Sequence, residues 1–269
     1  MTRQTITAVI PAKNEEKNIG RCLKSVDWCD RVIVLWMGTD KTGEIAKKMG
    51  AEVVEMGKSN RDDFVTVQKN INWAIKNCRT DWILRIDADE EVEPDLKKEI
   101  LTILKSPKKT AAIVAYGIPR KQYFWGGFLK GGDWAYDRLV RLFRPQYAIY
   151  NFSTHVHEQL VVDGEVDYLK NHLKHYSHPT LKDAIRKFDI YTSIQIEDLN
   201  ESLWLAFLKM IFVPPYVFGR WMIWHHGYRD GIRGLVAGAL RAWYDFILYK
   251  KYLQKRYQQG LTLKRTDLS

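Results

Sequence analysis

The sequence predicts an α/β fold, with a mainly parallel sheet covered by helices and a helical C-terminal region after it. Three observations carry that expectation. Apolar runs of strand length alternate with stretches of helical periodicity along residues 5–105. The connections between them hold the Pro, Gly, Asn and Asp residues that end strands and start helices. Beyond Thr180 the strand-like runs stop and helical spacing takes over.

Taken in order, Thr5–Ile10 reads as a buried strand and Pro11–Asn14 as the loop that ends it. Ile19, Cys22, Leu23 and Val26 recur at helical spacing within Glu15–Val26. Arg31–Leu35 is a second strand. Gly38–Thr42 then turns into a helix carrying Ile45, Ala46 and Met49, stopped by Gly50. Glu52–Val54 is a short third strand, and Phe64, Val67, Ile71, Ala74, Ile75 and Cys78 mark a longer helix. Asp81–Ile86 is a fourth strand, after which Pro94 suits the first turn of a helix. Ligands of parallel sheets gather beyond the carboxyl ends of the strands. The loops Pro11–Glu15, Leu35–Asp40 and Asp87–Glu90 all belong to that edge.

From Thr110 to Lys174 the pattern changes. Strand-like pieces at Ala111–Tyr116, Arg138–Phe143 and Val156–Val162 are separated by glycines and aromatics, as in "YFWGGFLKGGDW", which predicts an antiparallel extension. Leu181, Ile185, Phe188, Thr192 and Ile196 then open the helical region.

With 269 residues, 46% of them hydrophobic, the chain can bury a core and is not a disordered polymer. Cys22, Cys29 and Cys78 are too few for a disulfide framework and form no CxxC pair, which fits a reducing compartment. Met1–Gln4 runs directly into a strand-like segment, so no signal peptide is expected. No uninterrupted apolar stretch of about 18 residues predicts a spanning helix. Residues 203–269 hold 11 Lys and Arg against 3 Asp and Glu, most of the net charge of +10. Such asymmetry calls for a polyanionic partner. Aromatics set in long aliphatic stretches, interrupted at Lys209, Pro214-Pro215 and Arg220, favour helices lying on an anionic membrane over nucleic acid.

The sharpest local feature is "ILRIDADEEVEP", residues 83–94, where an apolar strand runs into five acidic residues. Alternate residues of an extended segment point the same way, so Asp87 and Asp89 are placed to face one point. Hard cations such as Mg²⁺ or Mn²⁺ bind through one or two carboxylates together with substrate phosphates. Glu90, Glu91 and Glu93 read as helix-start acids that complement the dipole of the helix beginning at Pro94.

Together with this motif, "TAVIPAKNEEKNIGRCLKS", "VIVLWMGTDKT" and "VQKNINWAI" resemble the inverting, nucleotide-sugar-dependent glycosyltransferases of family 2, which have the GT-A fold. The branch that builds lipopolysaccharide core oligosaccharide is the most similar. The resemblance covers roughly residues 5–175, and "FGRWMIWHHGYRDGIRGLVAGALRAWY" is similar to that branch's C-terminal region. It implies a catalytic domain over 1–175, with a nucleotide-binding half (1–105) and an acceptor half (106–175), then a helical, basic and aromatic region over 176–269.

By the same resemblance Pro11, Ala12, Glu15, Lys69, Asp87 and Ala88 bind the nucleotide sugar, and Asp89 with Asp87 holds Mn²⁺ or Mg²⁺. His175 is a further candidate ligand, a structural histidine being the alternative. Where the family carries an aspartate that meets the base, this chain has Leu35, followed by Trp36. Trp36 suits either base stacking or a core. An inverting transfer needs a general base for the acceptor hydroxyl; "STHVHEQL" offers Glu158 first and His157 second. His155 and His157 share a strand face, but no further ligand is spaced to complete a zinc site. Asp133, Asp137 and Arg138 suit the acceptor side.

These readings imply an enzyme on the cytoplasmic face of the cell membrane, moving a sugar onto a glycan or lipid-linked glycan. Two rivals stand beside it. One is a non-catalytic membrane-associated protein of the same fold, motivated by Leu35. The other is a sugar-phosphate nucleotidyltransferase, which needs a glycine-rich first loop, whereas "PAKNEEKN" has no glycine before Gly20.

Overall fold

The computed structural model describes residues 3–57, 64–106, 112–151 and 159–266. Two compact units divide the chain, residues 1–122 with 137–176, and residues 123–136 with 177–269. The boundary expected at 175 falls beside the later junction, but the segment 123–136 groups with the helical unit.

In the first unit β1 (Ile6–Ala12), β2 (Arg31–Trp36), β3 (Glu52–Glu55) and β4 (Trp82–Arg85) alternate with α1 (Ile19–Ser25), α2 (Thr42–Lys48) and α3 (Phe64–Asn77). The four strands form a parallel block in the order β3-β2-β1-β4. Along the chain there follow β5 (Glu90–Val92), α4 (Pro94–Lys105), β6 (Ile113–Phe124), β7 (Gly127–Phe128, within the segment that groups with the second unit), β8 (Arg138–Phe143), β9 (Ala148–Asn151), β10 (Gln159–Val162), β11 (Glu165–Tyr168) and β12 (Leu173–His178). β8 lies antiparallel to β4 and to β6, and the sheet continues β6-β12-β5. β7 and β11 also pair with β6, while β9 and β10 form a separate ribbon.

β1 is buried along its whole length, as a central strand with both faces covered must be. Alternation then sorts its side chains. Ile6, Ala8, Ile10 and Ala12 pack with Ile19 and Leu23 of α1 and Leu96 and Ile100 of α4. Val9, Ile33, Leu35, Ile83 and Phe143 face the other way, against Ile71, Ala74 and Ile75 of α3. The sheet therefore has an α1/α4 face and an α3 face.

Several expectations change. Pro11 and Ala12 belong to β1 rather than to a loop, because they pair in register with Leu35 and Trp36. α1 starts at Ile19, after a turn in which Asn18 N–H donates to the Glu15 carbonyl at 2.9 Å. β5 and β12 were not expected as strands. Of the strand expected at Val156–Val162, the described part is β10, beginning at Gln159.

The second unit contains α5 (Leu181–Gln195), α6 (Leu203–Gly219) and α7 (Gly231–Thr266). Thr180 caps α5, its Oγ1 accepting from Asp183 N–H at 3.1 Å. α6 runs on through a π-helical turn, Arg220–Trp224. Leu203–Trp224 is thus a 22-residue stretch long and apolar enough to cross a membrane by length and composition, which the sequence reading did not expect. The supposed interruptions do not break it. Pro214 and Pro215 lie inside α6, Lys209 pairs with Glu201, and Arg220 pairs with Asp133.

Trp221 organises this unit. It is fully buried, its Nε1–H donates to the Gly234 carbonyl at 3.0 Å, and Gly132, Gly227 and Gly238 stand so close that a Cβ on any of them would strike its ring. Asp230 anchors the same loop, accepting from Lys130 N–H and Gly131 N–H, both at 2.9 Å. Gly227 and Gly238 of "HHGYRDGIRGLVAGAL", with Gly132, therefore form the walls of an indole site. Trp221→Ala is expected to destabilise the protein by about 3–5 kcal/mol, the usual cost of emptying a buried tryptophan site. Denaturant unfolding checks this, and a loss below about 1 kcal/mol would contradict the organising role.

Candidate active site

At the carboxyl edge of the parallel block, the loops after β1 and β2 are joined by backbone and side-chain bonds. Met37 N–H donates to the Ala12 carbonyl at 2.9 Å, Thr39 N–H to Asn14 Oδ1 at 2.9 Å, and Glu15 N–H to Thr42 Oγ1 at 2.8 Å. Asn14 takes a left-handed conformation (φ 56°), which asparagine tolerates better than most residues. Gly38 fits because a Cβ there would lie 2.7 Å from both Asn14 N and Asn14 Oδ1. Asp40 accepts from Glu16 N–H at 3.1 Å and from the Thr42 hydroxyl at 2.6 Å. Burial opposes its charge, yet the bonds from Thr42 hold its pKa below the usual carboxylate value.

The acidic turn after β4 answers a concentration of positive charge. β4 and β8 pair Ile83 with Phe143 and Leu84 with Leu142. One step further in that register brings Arg85 opposite Arg141, and both are 1% exposed. Like charges opposite one another across strands repel, and buried ones need counter-charge. Asp87 supplies it. Its Oδ2 accepts from Arg141 Nη2 at 2.7 Å and from Arg85 Nη1 at 3.2 Å, and Arg85 Nη2 lies 3.0 Å from its Oδ1. Glu90, fully buried, accepts from Asp87 N–H at 2.9 Å and from Arg120 Nη1 at 3.1 Å. Arg120 also pairs with Asp137. Burial would lower the Arg120 pKa, but Glu90 and then Asp137 outweigh it and raise it.

This corrects two expectations. Residues 87–90 form a turn, closed by Glu90 N–H donating to the Asp87 carbonyl at 2.9 Å, so the extended alternation assumed for Asp87 and Asp89 does not hold. The two carboxylates meet different partners. Glu90 and Glu91, in turn, do not serve the dipole of α4. They lie in β5, where Glu91 accepts from Lys174 Nζ at 3.1 Å and Tyr176 Oη at 2.9 Å. Glu93 does precede Pro94 as N-cap, but without a side-chain cap bond, and it pairs with Lys121 at 2.8 Å.

Asp89 faces a histidine. β5 and β12 pair antiparallel, with Lys174 opposite Glu91 and His175 opposite Glu90. Tyr176 N–H continues the ladder to the Asp89 carbonyl at 2.9 Å. His175 Nε2 then lies 3.4 Å from Asp89 Oδ2, while its Nδ1 is buried without a hydrogen-bond partner. Two ligands at right angles on one Mg²⁺ or Mn²⁺ ion stand about 3 Å apart, given metal–ligand distances near 2.1 Å. One carboxylate and one imidazole so spaced fit two positions of such an ion. Among the described residues no group of three His, Cys, Asp or Glu is gathered to hold a metal. Cys22 lies beneath, its Sγ donating to the Asp87 carbonyl at 3.4 Å. Burial, then Glu90, Asp87 and Asp89, push its thiol pKa well up.

Pro11 and Ala12 are buried at the end of β1, and Ala88 is buried within the acidic turn. Glu15 accepts from Asn18 Nδ2 at 2.8 Å. Lys69 is exposed on α3. Trp36 packs on the core cluster over Gly43, and its Nε1 is buried without a partner. Leu35 is fully buried on the α3 face. Asp133 and Asp137, read together from the sequence, fall in different units. His155, His157 and Glu158 lie outside the described residues. Arg85, Arg120 and Arg141 are not among the residues singled out in the sequence. The signal was there in "WILRID" and "RLVRLF", where an arginine occupies an inward position of an apolar strand.

A family model, glycosyl transferase family 2, matches residues 7–157. The chain is 25% identical over 256 residues to the lipopolysaccharide core biosynthesis glycosyltransferase LpsC of Rhizobium meliloti (strain 1021), covering 93% of this chain and 92% of that protein. It is 31% identical over 242 residues to the uncharacterized glycosyltransferase RT0209 of Rickettsia typhi, covering 80% of this chain and 79% of that protein. Among solved structures, S. aureus TarS 1–349 is similar with a TM-score of 0.46 and 15% identity, over 95% of this chain and 92% of that one. The family match spans the parallel block, the loops at its carboxyl edge and the acidic turn, and the chain therefore belongs to glycosyl transferase family 2, as a glycosyltransferase of the GT-A fold.

Proposed function

We propose that the protein transfers a sugar, with inversion, from a nucleoside-diphosphate donor to a glycan or lipid-linked glycan of the cell envelope, of the lipopolysaccharide core type. The observation that carries the reading is the placement of Asp89 against His175 beside the turn that ends β4. Asp89 and His175 would hold Mn²⁺ or Mg²⁺, with Asp87 behind them fixing the two arginines. A bound cation of this kind stabilises negative charge developing on a departing diphosphate. The residues of the chain do the positioning. The end of β1 at Pro11 and Ala12, with Glu15 in the loop after it, would shape one wall, and Lys69 would offer a positive charge. Glu158, with His157 as the second candidate, would take the proton from the acceptor hydroxyl.

The exposed apolar side chains of the helical unit support work at an anionic membrane, which we place on the cytoplasmic side as part of the proposal. Trp204, Phe212, Tyr216, Ile223 and Trp224 along α6 and its π-turn, and Ile232 at the start of α7, are all more than half exposed. Large apolar groups so displayed, in a region rich in Lys and Arg, suit an interfacial helix whose apolar side enters the lipid and whose cations meet anionic headgroups.

Release of nucleoside diphosphate from a panel of nucleotide sugars with Mn²⁺ tests the transfer. Asp89→Asn is expected to lower kcat by about a hundredfold or more while leaving the fold intact, the scale seen when one charge-stabilising group is lost. Asp87→Ala is expected to act differently, costing about 3–5 kcal/mol of stability because two buried guanidiniums lose their shared partner. Equal stability losses in both variants, or full activity of Asp89→Asn under chelation, would refute the division of roles. For the membrane, co-sedimentation with phosphatidylglycerol vesicles is expected to drop about tenfold or more in a Trp204→Ser/Phe212→Ser/Trp224→Ser variant, since each buried aromatic side chain contributes about 1.5–3 kcal/mol. Undiminished vesicle binding would locate the contact elsewhere.

A further inference from the structure

Gln68 is 1% exposed, and neither its Nε2 nor its Oε1 has a hydrogen-bond partner. An unmatched buried amide costs about 1–3 kcal/mol, and this one is not a general property of its helix. Asn72, one turn further along α3, has both polar atoms matched by one residue of β9. Its Nδ2 donates to the Tyr150 carbonyl and its Oδ1 accepts from Tyr150 N–H, both at 2.9 Å.

Position gives the exception a meaning. Gln68 precedes Ile71 by three residues, so the two share a helix face, and Ile71 packs with Val9, Leu35 and Ile33 on the α3 face of the sheet. α3 starts at the carboxyl edge and runs back along the strands, as the helix of a strand-helix-strand unit does. Gln68 is therefore nearer that edge than Ile71, on the face that carries Leu35, one residue before the end of β2. Leu35 presents only carbon and is fully buried, and its register partner Pro11 has no N–H. The carboxamide of Gln68 is thus a buried hydrogen-bonding group without a partner on the α3 face, the face that Arg85 shares with Ile83 by strand alternation.

We propose that Gln68 reads the nucleobase of the donor, its carboxamide N–H and C=O pairing in a ring with an adjacent acceptor and donor on the base edge. Two-bond pairing of this kind is how a carboxamide engages a base in other settings, and an ionised phosphate, which only accepts, does not match both halves. The inference rests on the nucleotide-dependent transfer proposed above. Gln68 is a specificity-determining residue in it and takes no part in bond making.

Isothermal titration calorimetry on the full chain with Mn²⁺, using UDP, GDP, ADP, CDP and inorganic pyrophosphate, tests it with wild type and Gln68→Leu. The wild type is expected to prefer one base. Gln68→Leu is expected to lose about tenfold or more for that nucleotide and to level the preference, as follows when a designed polar contact is removed. Pyrophosphate, which has no base, is expected to bind both proteins equally. Tm without ligand is expected to hold or rise in Gln68→Leu, because an unmatched amide is replaced by an apolar group of similar size. A preference for one base that survives Gln68→Leu overturns the role of Gln68 and leaves the transfer standing. Failure of the wild type to bind any of the nucleotides overturns both. A fall in Tm with an unchanged base profile identifies Gln68 as structural only and also overturns the role.

Discussion

Two guanidinium groups buried side by side, Arg85 on β4 and Arg141 on β8, are the constraint around which the first unit is arranged. Each would repel the other in a medium that screens poorly, and neither can shed its proton. The chain meets the difficulty locally. Two residues after Arg85 it provides Asp87, shared by both, and three residues later Glu90, which fixes the Asp87 backbone and draws in Arg120 from β6. The dense run of acids after β4 thus has two employments. Asp87 and Glu90 neutralise the arginines, which leaves Asp89 to face His175.

This division explains why an acidic run at a strand end need not read as one metal site. Carboxylates that complete a buried network are held by charge-assisted bonds and have little freedom to move to a ligand. Asp89 has a different surrounding, a histidine brought in by the far strand of the sheet. The arginines, for their part, keep the turn in place. A rigid platform under a ligand-binding edge is what positioning of a reacting group requires.

Much of the architecture was legible in the residues. The parallel block could be read because its strands are continuous apolar runs, and Gly50 and Pro94 mark helix ends where local chemistry decides. The acidic turn announced itself through charge density. What could not be read depends on contacts distant in sequence. β5 is three residues long and acidic, with no strand signature of its own, and it exists because β12 pairs with it some 80 residues later. Pro11 looked like a loop residue until its pairing with Leu35 made it a strand end. The helical unit hid its order in glycines, whose spacing makes sense only once Trp221 is seen between them. α6 was read as broken at its prolines and charges, but ion pairs to Glu201 and Asp133 and the π-turn carry it through.

The three-residue ladder between β5 and β12 has a consequence for how this chain tolerates change in length. Because side chains alternate along a strand, a single residue inserted or deleted between Asp89 and Pro94 would slip the ladder by one and turn every partner over. A deletion, with α4 held in place, would set Lys174 opposite Glu90 in place of His175, and an insertion would set Tyr176 there; either way β5 turns over and Asp89 loses its place against the imidazole. Substitutions in this stretch change chemistry one side chain at a time, whereas an indel would dismantle the pairing at a stroke. The spacing from Asp89 to Pro94 is thus as much a part of the site as the residues that fill it.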